Sequence, residues 1–193
     1  MPEYAAFLRG INVGGNHLIG SPELRAIFEG LGLTGVATFR ASGNVVFAAP
    51  EEASAGGGRP TDGGDLAAMT ERIERGLAAA LGYEVATFLR TAGEIRAIAA
   101  HEPFAPEVVA ASGGKPQVIL LRTPPPPEAR EEVLGLAGEG DRLAFGEREL
   151  HWLPSGGMSD SALELKRIER LLGPTTIRTA GTVGLIAAKH FAD

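Results

Sequence analysis

The fold of this chain is decided by its opening, residues 4–22, which read YAAFLRGINVGGNHLIGSP. The apolar run at residues 4–8 predicts a buried strand. Ser21 followed by Pro22 predicts a helix start, with Ser21 as the N-cap and Pro22 in the first turn. Between them, residues 9–18 contain an arginine, two asparagines and three glycines, which predict a loop whose backbone comes close to a ligand or to another part of the protein. A strand, a binding loop and a helix therefore open the chain.

The same order of elements is predicted twice along the chain. Apolar and alternating runs predict strands at residues 4–9, 36–41, 45–48, 84–90, 117–122, 142–145, 149–153 and 176–178. Helical spacing predicts helices at residues 22–31, 66–81, 91–100, 127–136, 163–172 and 182–190. Both halves have the predicted order βαββαβ. We find this repeat in the order of the elements and find no repeat in the amino-acid sequence itself.

A doubled βαββαβ order predicts an α+β fold of two tandem ferredoxin-like units with antiparallel sheets. We place the first unit at residues 1–96 and the second, with a C-terminal helix, at residues 97–193. The Gly-rich stretch at residues 50–64 has little to bury, so we expect it to be a flexible loop that can be shortened without loss of folding.

This topology also assigns the polar loops to sheet edges. In the first unit, the loop from Arg9, the helix start at Ser21 and the turn at residues 42–44 share one edge. In the second unit, the turn at residues 155–161 and the segment at residues 178–182 share the opposite edge of their own sheet. We therefore expect candidate binding residues to gather in two loop pairs.

Composition and charge narrow the class of protein. With 193 residues and 44% hydrophobic content, the chain has enough apolar residues for one good core or two small ones. Neither a membrane-spanning apolar run nor a signal peptide is found, so we expect a cytoplasmic protein with no membrane partner. The net charge of -6 argues against nonspecific binding of nucleic acid. Residues 1–50 contain three arginines and three glutamates, so the net charge of this part of the chain is zero and does not oppose binding of a small anion.

Metal and thiol chemistry have no sequence signal. The chain has no cysteine, which excludes disulfides and thiolate ligands, and its four histidines show no metal-site spacing in the sequence. No Walker motif or dinucleotide fingerprint follows a strand. We therefore expect no metal and no cofactor.

The residues at 4–15, together with SGNVVF at residues 42–47, resemble the bacterial domain-of-unknown-function family 1697. Farther on, Pro154, Gly156 and Ser161 are similar to a family loop before a helix. Similarity to the family's C-terminal Thr-x-Arg-Asn-x-Asn-Thr-Val segment falls on Thr176, Arg178, Thr182 and Val183. The chain has Thr179 and Gly181 where that segment has asparagines. The resemblance implies the fold and names no activity.

The candidate ligand-binding residues lie in these loops: Arg9, Gly10, Asn12, Gly14, Gly15, His17, Ser42, Asn44, Gly156, Ser161, Arg178 and Thr182. Arginine and backbone N–H groups at a helix start can capture an anion. A tight glycine loop with Arg9 bonded to the protein itself is the alternative, and at least one of Gly10, Gly14 and Gly15 should have positive φ. Asparagines in turns commonly bond their own backbone.

Two further candidates have plain structural alternatives. His17 is the best placed proton-transfer group, although a lone loop histidine is commonly a surface residue. Ser161 has no adjacent histidine, and its neighbours Ser159 and Asp160 suit helix capping, so we do not assign it as catalytic. His151 and Trp152 are expected to pack.

Two functions from different classes remain open. The first is binding of a small anionic ligand, such as a phosphorylated one, with Arg9 and Arg178 lining one cleft around a polyanion. The second is a noncatalytic interaction module that forms a homodimer or docks a protein partner. The sequence names no reaction.

Overall fold

A computed structural model describes residues 1–12, 18–40, 43–50 and 63–192 of the chain. The chain divides into two compact units, Met1–Ile95 and Arg96–Asp193. Each unit has one four-stranded sheet in which every neighbouring pair of strands is antiparallel.

The first unit has the order βαββαβ, and the helix that follows it, α3, crosses the boundary into the second unit. Its elements are β1 (Glu3–Leu8), α1 (Ser21–Gly30), β2 (Thr34–Thr38), β3 (Asn44–Ala48), α2 (Gly63–Leu81), β4 (Thr87–Thr91) and α3 (Ala92–Ala100). The strands lie in the order β2-β3-β1-β4, so β1 and β2 run parallel with β3 between them. Ala5 on β1 lies opposite Val46 on β3 and Arg90 on β4.

The second unit repeats this arrangement after one short helix. Its elements are α4 (Pro106–Ser112), β5 (Gln117–Leu121), α5 (Pro127–Leu134), β6 (Arg142–Phe145), β7 (Glu149–Leu153), α6 (Leu165–Leu172), β8 (Thr175–Thr179) and α7 (Ala180–His190). The order is β6-β7-β5-β8, and Val118 on β5 lies opposite His151 on β7 and Arg178 on β8. The predicted fold, two tandem ferredoxin-like units, is confirmed.

Each unit has its own core between two helices and one face of its sheet. In the first unit, Tyr4 and Phe47 stack with ring centroids 5.6 Å apart, and Phe28 of α1 packs 5.5 Å from Phe47. Met69, Ile73 and Leu77 of α2 complete this core. The core of the second unit contains Ile119, Leu150, Trp152, Val133 of α5 and Ile168 of α6. The helical spacing in the sequence therefore marks the faces that are buried.

Three sequence predictions about helix starts were wrong. Ser21 is the first residue of α1 and not its N-cap, because Gly20 has the extended backbone of the capping position. Gly63 and Gly64, which we expected in the flexible loop, begin α2. Asp65 lies in the first turn of this helix, where a negative charge interacts favourably with the positive end of the helix dipole. The rest of that loop, residues 51–62, lies outside the described residues.

The third wrong prediction concerns α6, which begins at Leu165, so Ser159 and Asp160 lie before the helix and do not cap it. Asp160 instead accepts a hydrogen bond from the N–H of Gly157. Helix α4 was not predicted. Pro106 lies in its first turn, and Gly113, with a φ of 69°, ends it.

The prediction that the repeat lies in the order alone was also wrong. Matching the register of β4 to that of β8 aligns TFLRTAG at residues 87–93 with TTIRTAG at residues 175–181. The two units therefore share residues at equivalent positions.

No helix in the described part of the chain is both long and apolar enough to cross a membrane.

Candidate functional site

The polar loop residues of the first unit gather where β1 and β2 end. We call this surface the opening edge and define it by its described residues: Leu8, Arg9, Gly10, Ile11, Asn12, Ile19, Arg40, Gly43 and Asn44. The topology predicted that the loop after β1 and the turn before β3 lie at the same edge. The N–H of Leu8, at the end of β1, donates a hydrogen bond to the carbonyl of Gly43, in that turn, at 2.7 Å, which confirms that they do.

Asn12 fixes the ends of the opening loop. Its side-chain Oδ1 accepts a hydrogen bond from the N–H of Ile19 at 2.8 Å, and its Nδ2 donates to the carbonyl of Ile19 at 3.2 Å. The backbone of Asn12 has a φ of 54°, a left-handed conformation that asparagine tolerates better than most side chains. Asn12 therefore has the structural role that the sequence left as an alternative to ligand binding.

Two glycines at the opening edge require their residue type for different reasons. Gly10 has a φ of 78°, which confirms the prediction of positive φ in this loop. Gly43 has a φ of 70°, and a Cβ there would lie 2.9 Å from Cγ1 of Ile11 and 3.1 Å from Cβ of Leu8. The hairpin turn and the opening loop are thus in close contact.

Asn44, the first residue of β3, is buried and closes the hairpin. Its Nδ2 donates to the carbonyl of Phe39 at 3.0 Å, while the N–H of Phe39 donates to the carbonyl of Asn44 at 2.9 Å. The side chain of Asn44 stabilises the turn. Gly14, Gly15, His17 and Ser42, which we also named as candidates, lie outside the described residues.

Two arginines follow the strands that end at the opening edge, and the side chains of both are exposed. The N–H of Arg9 donates to the carbonyl of Ala86 at 2.9 Å, which anchors its backbone. Arg40, which we did not predict as a site residue, has a φ of 57° and a guanidinium 5.5 Å from the ring centroid of Phe39. Its signal in the sequence was its place two residues before the predicted turn at residues 42–44.

The second loop pair lies where β7 and β8 end. We call it the closing edge and define it by Asp141 and residues 114–116, 154–161 and 178–182. The N–H of Ala180 donates to the carbonyl of Pro116 at 2.9 Å. A Cβ on Gly114 would lie 2.3 Å from the carbonyl oxygen of Pro154 and 2.6 Å from that of Gly156. The turn after β7 and the segment after β8 therefore share an edge, as predicted.

Ser161 belongs to a network centred on the buried carboxylate of Asp141. Its Oγ donates to Oδ2 of Asp141 at 2.6 Å and accepts from the N–H of Leu163 at 3.0 Å. Oδ1 of Asp141 accepts from the N–H of Ser155 at 3.0 Å. These bonds join both ends of the loop at residues 155–161, and they explain Ser161 without a catalytic role. Sequence reasoning missed Asp141, because its partners are distant along the chain.

The remaining closing-edge candidates also have partners within the protein. Arg178 donates from Nη1 to Oγ1 of Thr176 at 2.9 Å and to the carbonyl of Ile177 at 2.8 Å. Burial lowers the pKa of Arg178 to about 10, so the guanidinium is still charged at neutral pH. Thr182 donates its N–H to Oγ1 of Thr179, the N-cap of α7. The shared cleft of Arg9 with Arg178 stays a prediction.

The two sheets and the polar loops at their edges define the class of this protein. It is an α+β protein with two ferredoxin-like units, each of which has polar loops at one edge of its sheet. No group of three or more metal-ligating side chains occurs in the described part of the chain. The family described as "Protein of unknown function (DUF1697)" matches residues 1–151, and the chain belongs to this family. The similarity noted at Gly156, Ser161, Arg178 and Thr182 lies beyond the matched residues and stays a prediction.

A solved structure has the same fold. The conserved bacterial protein SP0830 from Streptococcus pneumoniae is 22% identical in sequence, and the match covers 97% of each chain with a TM-score of 0.68. At this identity the likeness shows the fold alone. No match to a curated protein was found.

Proposed function

We propose that this protein binds a small anionic ligand, such as a phosphorylated metabolite, at the loop of residues 9–15, with Arg9 as its principal donor. The observation that carries the proposal is an exposed guanidinium on a backbone held in place by hydrogen bonds. The hydrogen bond from the N–H of Arg9 to the carbonyl of Ala86 fixes the start of this loop. Farther along the loop, the side chain of Asn12 is hydrogen-bonded to Ile19. A fixed backbone lowers the entropy lost when a ligand binds.

The start of α1 adds favourable charge to this proposal. Helix α1 follows the opening loop, and no side chain among the described residues caps its first turn. The N–H groups and the positive end of the helix dipole therefore favour a negative ligand nearby. Arg40 supplies a second exposed guanidinium at the opening edge. Two guanidiniums match a ligand with two or more negative charges better than a monoanion.

The alternative, a noncatalytic interaction module, has less support among the described residues. Exposed large hydrophobic side chains fall on six separate segments: Met1, Leu18, Val108, Leu134, Met158 and Leu185. Single exposed apolar side chains are ordinary on a protein surface. No observation on the described surface favours docking over anion binding.

Thermal unfolding with added anions tests the proposal. Inorganic phosphate, pyrophosphate and citrate are each added to the wild type at constant ionic strength, with chloride as the reference. We expect at least one to raise the unfolding midpoint, because a ligand that binds the native state stabilises it. The Arg9→Gln variant should lose most of this increase.

Arg170→Gln is the matched control, because it removes one exposed arginine from α6 and changes the net charge equally. It should respond to the anion as the wild type does. If no anion raises the midpoint, or if Arg9→Gln responds fully, the opening edge is not an anion site.

A further inference from the structure

Two histidines of the second unit meet although fifty residues separate them. His101 follows α3 and is exposed, and His151 lies in the middle of β7. Their ring centroids are 4.8 Å apart and the ring planes are tilted by 53°. These residues differ from those of the proposed anion site, and their spacing along the chain does not indicate a contact.

The ring of His151 is buried with one nitrogen unused. Its residue is 4% exposed, and its Nε2 has no hydrogen-bond partner among the described residues. Buried polar atoms without partners are rare in folded proteins, and each one needs an explanation. Glu149, on the same face of β7, does not supply a partner, because its carboxylate accepts from the N–H groups of Glu147 and Arg148.

The protonation state of His151 leaves that nitrogen suited to a metal. Burial, and to a smaller extent the charge of His101, lowers the pKa of His151 to about 4. The imidazole is therefore neutral at physiological pH, and neutral imidazole is the form that coordinates metal ions.

The separation of the rings fits coordination of one ion by both. A metal lies about 2 Å from an imidazole nitrogen, which puts it about 3.2 Å from each ring centroid. For an angle of about 90° to 109° between two ligands, the two centroids lie about 4.5 to 5.2 Å apart. The 4.8 Å between His101 and His151 falls within this interval.

We propose that His101 and His151 together bind one divalent transition-metal ion of the zinc or copper class, through one ring nitrogen each. Water completes the coordination, because no third metal-ligating side chain joins the pair among the described residues. Imidazole ligands select zinc, copper or nickel over magnesium and calcium, which prefer oxygen. His101 is the exposed member of the pair, and His151 is the buried one.

Metal titration of the whole chain tests this inference. After dialysis against a chelator, Zn²⁺ binding is measured by calorimetry, and the Cu²⁺ complex is examined by electron paramagnetic resonance for nitrogen ligands. We expect one ion per chain and a signal from two imidazole nitrogens. His101→Gln should weaken binding at least tenfold and reduce the signal to one nitrogen, without a change in unfolding midpoint in metal-free buffer.

His190→Gln is the matched control, because it removes a histidine from the end of α7 and leaves the pair intact. It should bind the ion as the wild type does. The inference is overturned if the wild type binds no more tightly than His101→Gln, or if His190→Gln loses binding to the same extent. Because His101 is exposed, loss of folding does not complicate the comparison.

Discussion

Arg90 and Arg178 occupy the same position in the two sheets. Arg90 lies opposite Ala5 on the central strand β1, and Arg178 lies opposite Val118 on the central strand β5. Each donates from Nη1 to the carbonyl of the preceding residue, at 2.9 Å to Leu89 and at 2.8 Å to Ile177. The duplication of the fold therefore extends to individual contacts on the edge strands.

The helices that follow these strands start in the same way. Thr91 and Thr179 stand directly after the two arginines, and both cap the next helix through their hydroxyl groups. The first unit adds Glu94, whose carboxylate accepts from the N–H of Thr91 at 2.8 Å, whereas the second unit has Thr182 there. The match between the two units therefore includes the threonine cap as well as the arginine contact.

Replacing Asn12 by alanine should open the loop at the opening edge. The variant loses both hydrogen bonds to Ile19 and leaves an alanine at a φ of 54°. We expect a loss of about 2 to 3 kcal/mol in the free energy of unfolding, from the lost bonds and the strained backbone. Urea denaturation at neutral pH measures it.

Asn12→Gly separates the two causes. Glycine relieves the backbone strain and still loses the hydrogen bonds, so this variant should lie between the wild type and Asn12→Ala. Equal stability of the alanine variant and the wild type would show that the bonds to Ile19 contribute little.

Gly114 should tolerate no side chain. A Cβ there would lie 2.3 Å from the carbonyl oxygen of Pro154 and 2.6 Å from that of Gly156, so the backbone of the closing edge must move. We expect Gly114→Ala to lower the free energy of unfolding by more than about 2 kcal/mol, because overpacking against backbone cannot relax through a rotamer change. Thermal unfolding followed by circular dichroism measures the loss.

Gly184→Ala is the matched control for this substitution. Gly184 lies within α7, and a Cβ there meets nothing within 4 Å. Alanine should stabilise the helix by up to about 1 kcal/mol. If Gly114→Ala and Gly184→Ala change stability in the same direction and by the same amount, the close approach at Gly114 does not constrain the chain.

Asp141 and Ser161 should act as one unit in holding the loop between them. Their side chains are joined by a 2.6 Å hydrogen bond, and Asp141 also accepts from the N–H of Ser155. We expect Ser161→Ala to cost about 1 to 2 kcal/mol and Asp141→Ala to cost more, because the alanine leaves two donors without their acceptor.

A double-mutant cycle measures the coupling. The double variant should be more stable than the sum of the single losses predicts, by about 1 kcal/mol, because the shared bond is lost only once. Additive losses would show that Ser161 and Asp141 stabilise the loop independently.

The elements that the sequence predicted best have signals within a few residues. Strands β6 and β7 have the predicted bounds, Arg142–Phe145 and Glu149–Leu153, since apolar residues alternate on both sides of a short turn. Thr91 and Glu94, three residues apart, likewise form a capping box through reciprocal hydrogen bonds, which is a local feature of the sequence. Local propensity decides these features.

The features that the sequence did not predict depend on tertiary contacts. The bond between Asp141 and Ser161 and the ring contact between His101 and His151 form only after the second sheet has brought distant segments together. The role of Asn12 was left open for the same reason, because its partner Ile19 lies on the far side of the loop. Spacing along the chain contains no information about such pairs.

His151 should make the stability of the protein depend on pH below neutrality. Burial lowers its pKa from 6.5 to about 4, so between these values the unfolded chain binds a proton that the folded chain does not. The stabilisation is complete above pH 6.5 and is lost as the pH falls toward 4. The full loss is about 3 kcal/mol, from the pKa difference of about 2.5 units.

Urea denaturation of the wild type and His151→Gln at pH 7, 6, 5 and 4.5 in metal-free buffer isolates this contribution, since the other titrating groups are common to both chains. The free energy of unfolding should fall less steeply in His151→Gln. His101→Gln should keep most of the wild-type slope, because burial is the larger cause and the charge of His101 the smaller. Parallel curves for the wild type and His151→Gln would mean that His151 takes up its proton in the folded protein as readily as in the unfolded chain.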